Sequence, residues 1–213
     1  MKLKRSHLAA AIVLLSAAPA FAQETGPYVA GSIGMATIDA DAQSLSDGLA
    51  ARGFTNRVEA DETAVAFKLL GGYRLHRNFG VEAGYVNFGK FDFDVDTYSP
   101  VAIRGTGDTK AYGFDLAAIG YLPVSETLTL FAKAGANRWS VKQRFSASSG
   151  GFTASVDESA NGWSPMIGAG VLARLTANLV LRFDFDYYNK VGDKDKTGES
   201  DVGLFTTSLM YRF

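Results

Sequence analysis

The chain has 213 residues, no cysteine, and 21 Lys and Arg against 22 Asp and Glu. Without cysteine there are no disulfides and no thiolate metal sites, and a net charge of −1 gives no support for nucleic-acid binding, which needs a basic patch. A mean hydropathy of +0.03 beside 15 Phe, 9 Tyr and 23 Gly fits apolar residues that alternate with polar ones, the bland average of a membrane-spanning barrel.

Residues 1–22 read as an address label. Lys2, Lys4 and Arg5 give a positive start, Leu8 to Ala18 a short apolar run, and Ala20-Phe21-Ala22 small residues for a signal peptidase. The run is shorter than the ~20 apolar residues of a spanning helix. The expected division is therefore a secretory signal peptide over 1–22 and one barrel domain over 23–213. Cleavage would leave 18 basic against 22 acidic residues, a formal charge of −4.

The first strand is predicted over 27–36, with Val29, Ile33 and Met35 on its apolar face. The second, over 63–75, sets Val65, Phe67, Leu69, Tyr73 and Leu75 against Lys68 and Arg74. In the third, over 79–96, Val81, Ala83, Tyr85, Phe91, Phe93 and Val95 are expected to oppose Glu82, Lys90, Asp92, Asp94 and Asp96. The fourth, 109–122, opposes Tyr112, Phe114, Leu116 and Ala118 to Asp115; the fifth, 127–144, opposes Leu128, Leu130, Ala132 and Ala134 to Lys133. The sixth, 161–175, carries Ile167, Ala169, Val171 and Ala173. Alternation is sharpest in the seventh, 178–189, where Leu181, Phe183, Phe185 and Tyr187 oppose Arg182, Asp184 and Asp186. The eighth, 202–213, lines Phe205, Thr207, Leu209, Tyr211 and Phe213 on one face and ends on an aromatic carboxy-terminus. Its apolar face (Phe205, Leu209, Tyr211, Phe213) reads as a C-terminal assembly signal with a girdle residue at the membrane interface.

The connections fix the topology. Tight links are expected near His76-Arg77-Asn78, Val124-Ser125-Glu126 and Thr176-Ala177-Asn178, and long polar ones near 37–62, 97–108, 146–160 and 190–201. Short and long links that alternate strictly belong to a barrel with one rim in the periplasm and the other outside, which places both termini in the periplasm. A soluble lipocalin-like barrel shares the strand count but would turn its aromatic face inward. Small residues on the polar face (Gly80, Gly84, Gly168, Gly170) suit a narrow polar lumen instead. The fold class is all-β, an eight-stranded antiparallel up-and-down transmembrane barrel.

Over the whole mature chain these residues resemble the OmpA-like transmembrane β-barrel family. The matching stretches are Gly72-Tyr73, Phe79 to Tyr85, Gly120-Tyr121, Ser164-Pro165 with Gly168 to Val171, Leu181-Arg182 and Tyr211-Arg212-Phe213. Many members carry a peptidoglycan-binding domain after the barrel; nothing follows Phe213 here, so that tethering role is not implied. The resemblance implies that Glu82 and Arg182 occupy positions of a central ion-pair gate. The family's lysine on strand four and acid on strand six align best with Ile119 and Leu172, both apolar, so the gate is incomplete. Lys68, Lys133, Asp115 and Asp184 are candidates for a different ion-pair network with Glu82 and Arg182, because a charge in a narrow lumen has to be paired.

Catalysis finds little footing. His76 is the single histidine after residue 22, and it falls at a predicted periplasmic turn, far from the outer leaflet where lipid-modifying barrels work, whereas a nucleophile pair needs its histidine within hydrogen-bond reach of a serine on an outer strand. The loops concentrate charge: Asp39, Asp41, Asp47, Arg52, Arg57, Glu59, Asp61 and Glu62 in one, Asp193, Asp195 and Asp201 near another. That spacing lacks the pattern of an EF-hand, so no calcium site and no cofactor is expected. The resulting expectation is a non-enzymatic outer-membrane protein with an envelope-stabilising role. A narrow pore and an adhesin acting through its loops are the alternatives. Expected partners are outer-membrane lipid and lipopolysaccharide, the barrel-assembly machinery, and host or envelope partners through the loops.

Overall fold

The computed structural model describes residues 25–38, 46–47, 50–99, 103–149, 152–194 and 196–213. The expected signal peptide, Asp39, Asp41 and Asp195 lie outside the described residues. The strand segments are β1 (Gly26–Ile38), β2 (Thr55–Ala60), β3 (Thr63–His76), β4 (Phe79–Ser99), β5 (Ile103–Pro123), β6 (Leu128–Ser149), β7 (Phe152–Arg174), β8 (Leu179–Asp193) and β9 (Gly198–Arg212). Eight of them close a ring in the order β1-β3-β4-β5-β6-β7-β8-β9, because β9 pairs back onto β1 from Tyr28↔Arg212 to Ile38↔Val202. The ninth segment, β2, continues the line of β3 along the outer half of β4.

A closed ring satisfies backbone groups without a free edge, which hydrocarbon demands. The side chains agree with that solvent. Arg182 is 0% exposed and heads the fully buried side chains, while Ile33 and Val65 are 65% and 69% exposed. In water such an inside-out arrangement would forgo about 25 cal/mol for each Å² of apolar surface left uncovered. In a bilayer the exposed Val29, Phe67, Leu116, Ile167, Phe183 and Leu209 are the solvated face.

The tight links are held by short polar side chains. Ser125 Oγ accepts from the Leu128 N–H (3.1 Å), and Thr176 Oγ1 from the Leu179 N–H (3.0 Å). Asn78 and Asn178 then clamp the neighbouring strands, donating from Nδ2 to the carbonyls of Tyr121 and Arg212 (both 2.9 Å).

The expected long links are shorter than the sequence suggested. Residues 97–108 and 146–160 are mostly ladder, since β4 runs to Ser99, β5 starts at Ile103, β6 runs to Ser149 and β7 starts at Phe152. Within 190–201, β8 reaches Asp193 and β9 begins at Gly198; within 37–62, β2 occupies 55–60. The reason is physical. Beyond the membrane both faces meet water, so a strand there needs no apolar alternation, and pairing with its hairpin partner is enough to continue it.

One face assignment is overturned. Phe91, Phe93 and Val95 were expected beside Val81, Ala83 and Tyr85, but a bulge between Asn87 and Gly89 shifts the register. Gly89 takes φ +93, and the Asn87 Oδ1 accepts its N–H (2.9 Å). Odd-numbered residues therefore face lipid before the bulge and the lumen after it, where Phe91 is 5% exposed.

The lumen is layered. Ile119, Tyr121, Phe131, Leu172, Val180 and Met210 form an apolar cluster at the short-turn end. Charged groups fill the middle. Above them Ala66, Val86, Phe88, Trp139, Tyr188 and Leu204 form a second cluster toward the long hairpins.

Candidate functional site: a charged layer across the lumen

Strand alternation delivers every member of the middle layer. Lys68 on β3, Glu82 on β4, Asp115 on β5, Lys133 on β6, and Arg182 and Asp184 on β8 all point inward and are buried. They are not isolated. The Arg182 guanidinium binds Glu82 through Nη1 and, at 3.1 Å, through Nη2, and it forks onto Asp184 at 2.7 Å from Nε and 2.6 Å from Nη2. Lys133 Nζ lies 2.9 Å from Asp184 Oδ1 and 2.8 Å from Asp186 Oδ1. Lys68 Nζ then joins Asp186 Oδ2 (2.7 Å) to Asp115 Oδ2 (2.8 Å).

Neutral groups cap both ends. Tyr28 donates its hydroxyl to Glu82 Oε1 (2.8 Å) and meets the Tyr121 hydroxyl at 2.9 Å. Tyr188 donates to Asp115 Oδ2 (2.9 Å), and Asn137 Nδ2 donates to Asp115 Oδ1 (2.7 Å). The result is one chain of contacts: Tyr121, Tyr28, Glu82, Arg182, Asp184, Lys133, Asp186, Lys68, Asp115 and Asn137. Three cations face four carboxylates, with hydroxyl and amide donors on the outermost acids, so each charge is matched within hydrogen-bond reach. Arg182 also lies over the Phe131 ring at 4.4 Å, which couples the layer to the apolar cluster below.

The sequence singled out six of these charged residues, and the structure brings all six together. It missed Asp186 as a member, although its parity with Arg182 placed it on the same face. Tyr28, Tyr121, Asn137 and Tyr188 carried no signal, because an aromatic or an amide reads equally well on either face. Ile119 and Leu172 sit in the short-turn apolar cluster. Small residues on β7 make the room: a Cβ at Gly168 would press into the Asp186 carboxylate and lie 2.8 Å from Lys133 Cε.

Outside the lumen, His76 is an exposed residue at the end of β3, its Nδ1 accepting the Asn78 N–H at 3.3 Å. Arg57 and Glu59 pair on the surface of β2. Asp201 collects the Lys190 N–H (2.8 Å), Asn189 Nδ2 (3.2 Å) and the Tyr187 hydroxyl at the β8 bulge, where Lys190 takes φ +57. The Tyr187 hydroxyl first, and the Lys190 N–H after it, hold its carboxyl below the ordinary range. Among the described residues no group of three or more His, Cys, Asp or Glu is placed to hold a metal.

A family model described as the OmpA-like transmembrane domain matches residues 22–213. Outer membrane protein A of Klebsiella pneumoniae is 27% identical over 211 residues, covering 95% of this chain and 54% of that protein. Outer membrane protein A of Shigella flexneri is 27% identical over 160 residues, covering 74% and 43%. The chain thus spans about half the length of the curated relatives it matches. Among solved structures, Neisserial surface protein A superposes with a TM-score of 0.52 at 14% identity, over 88% of this chain and 97% of that one.

Proposed function

The chain belongs to the OmpA-like transmembrane domain family and is an integral outer-membrane protein; on that premise we propose that its barrel is a closed, plugged element that stabilises the envelope and is not an enzyme. One observation carries the reading. The contact chain from Tyr121 to Asn137 crosses the lumen with its charges matched, and apolar clusters lie against both of its sides. Such a lumen has no continuous polar path for an ion. Heat-modifiable mobility of protein refolded in lipid, followed by single-channel recording of the same sample, tests it. A compact band that shifts on boiling together with a silent bilayer is the expected result. Regular conductance steps would favour the narrow pore instead.

The same reading covers export and orientation. Residues 1–22 act as a cleaved signal peptide, the short-turn rim lies in the periplasm with both termini, and the long hairpins face outward. Phe205, Leu209 and Tyr211 on β9, with Phe213 just after it, present an exposed stripe that suits the barrel-assembly machinery. N-terminal sequencing of the membrane-embedded protein and protease access to the hairpins check these points.

Lipopolysaccharide is the proposed outer-leaflet partner. Lys90, Lys110 and Lys142 stand directly opposite one another across β4, β5 and β6, and all three are exposed. Like charges in register repel; Asp92 meets Lys90 at 2.6 Å, and an anionic headgroup would relieve the repulsion that is left. Lys142 reaches the Tyr112 ring (5.8 Å) and Arg138 the Trp163 ring (5.6 Å), the aromatic and basic mixture of a membrane interface. Changing the three lysines to Gln should lower retention of lipopolysaccharide; unchanged retention would remove this partner. Surface interaction through the hairpins is the second reading, favoured by the polar ladder of β6 and β7 from 144 to 158. Trimming it without loss of the heat shift would test attachment.

A further inference from the structure

Toward the long hairpins the lumen stops being filled. Beyond Phe88 and Tyr188, whose rings meet edge to face at 4.9 Å, lies a cavity of about 350 Å³. Its wall is made by Val58, Phe91, Phe93, Val141, Val191 and Val202. Thr109, Gln143, Thr197 and Ser200 supply the uncharged polar groups, and no Lys or Arg is among the described lining. Of its two acidic neighbours, Asp92 turns its carboxylate to Lys90 on the outer face (2.6 Å) and Asp61 is exposed.

The bulge at Gly89 creates this cup. By reversing the parity of β4 it brings Phe91 and Phe93 inward, where unbroken alternation would have aimed Lys90 and Asp92 into the lumen. Along the valine and phenylalanine wall water is a poor occupant, because each ordered water needs two to four polar partners and the polar groups of the lining are few. The volume falls within the roughly 300–1,000 Å³ of sites that bury a small ligand among apolar side chains with a few polar groups. Below it, the cluster of Phe88, Trp139 and Tyr188 and then the ionic layer close the floor.

We propose that this cup is a binding site for a small uncharged hydrocarbon-like molecule, captured from the long-hairpin side and held above the closed lumen. A cation finds no countercharge on the valine and phenylalanine wall, with Asp61 an exposed carboxylate of the lining; an anion finds no Lys or Arg among the described lining, and a folded partner is too wide for an eight-stranded ring. The site captures and does not conduct.

Trp139 reports on the cup, since it lies two residues from Val141 on the same inner face of β6 and is buried in the cluster beneath. Trp163→Phe leaves it as the single tryptophan, because the chain has two. Titrating 1-bromooctane into this variant, refolded in lipid, should quench Trp139 to a plateau. Val141→Phe and Val191→Phe, which fill the cup from two strands, should each weaken the titration about tenfold. Ser155→Ala, on the outer hairpin ladder and outside the lining, should leave it unchanged. All variants are first confirmed folded by the heat shift. Quenching that rises linearly and equally in the filled variants reports partition into lipid and overturns the proposal. Saturable quenching that appears only after residues 39–49 are shortened overturns it too, because the chain's own segment is then the occupant.

Discussion

Arg182 and Glu82 stand on strands that are separated by three others whichever way the ring is followed, yet guanidinium and carboxylate meet in the lumen. The pair therefore braces the barrel across its width, and Asp184 holds the guanidinium from the same strand as Arg182. Breaking it leaves a buried charge without its partner. Arg182→Met should cost about 3–5 kcal/mol of stability, whereas Arg182→Met with Glu82→Leu and Asp184→Asn should recover most of that loss. Urea unfolding in lipid vesicles measures both. Equal loss in the single and triple variants would mean that the shape of Arg182, and not its charge, matters.

The room for the network comes from β7. At Gly168 an added Cβ would collide with the Asp186 carboxylate and approach Lys133 Cε at 2.8 Å, whereas at Gly120 the nearest atoms are 3.9 Å away. Gly168→Ala should destabilise the barrel by about 1–3 kcal/mol. Gly120→Ala should be close to neutral. Unfolding midpoints of the two variants, compared in one lipid, decide the point.

The bulge makes a sharper claim about direction. A nitroxide at Tyr85 should collide with oxygen dissolved in the bilayer, and one at Phe91 should not, although both residues have odd numbers on one strand. Replacing Gly89 by Val should disturb this contrast, because φ +93 is unfavourable for a β-branched residue and the new Cβ would lie 2.8 Å from that of Ala64. Equal oxygen accessibility at 85 and 91 in the parent protein would remove the parity reversal.

What the sequence made legible follows from the same physics. Across the membrane one face meets lipid and the other a narrow lumen, so Phe183, Phe185, Lys68 and Arg182 declare their direction by polarity alone. Pairing is another matter. That Arg182 meets Glu82 depends on ring closure and stagger, which alternation within one strand does not encode; only the family resemblance pointed to that pair. The single glycine at 89 hid a reversal of phase, although Val86 and Phe88 followed by Phe91 already break the alternation. Outside the membrane the signal vanishes: Ser146, Ser148, Ser155 and Ser159 read as loop, because a solvated ladder has no buried face to mark it.

Asp201 gives a pH signature at the long-hairpin rim. Its donors depress the folded carboxyl, so its contribution is fully present above the unfolded value of about 3.9 and is lost as pH falls through the lower folded value. Asp201→Asn should therefore lower stability near neutrality and approach the parent as the medium is acidified below the ordinary carboxylate range. Parallel unfolding curves at stepped pH show whether the two converge. A constant gap down to the lowest pH would assign the effect to shape or to hydrogen bonding that survives protonation.

Conduction is the strictest test of the plug, because the lumen carries seals in series. The ionic layer lies directly on Ile119, Phe131 and Leu172, and Arg182 stacks over Phe131 at 4.4 Å. Removing the ion pair alone leaves an apolar constriction that excludes ions by dewetting. Removing the constriction alone leaves matched charges that still fill the width. Glu82→Ala with Arg182→Ala should thus stay silent in a planar bilayer, and so should Phe131→Ala with Leu172→Ala. The four changes combined should give steps, provided that the heat shift shows the barrel still closed. Conductance from the Glu82–Arg182 pair variant by itself would make the ionic layer the sole barrier, and the chain would then be read as a gated pore.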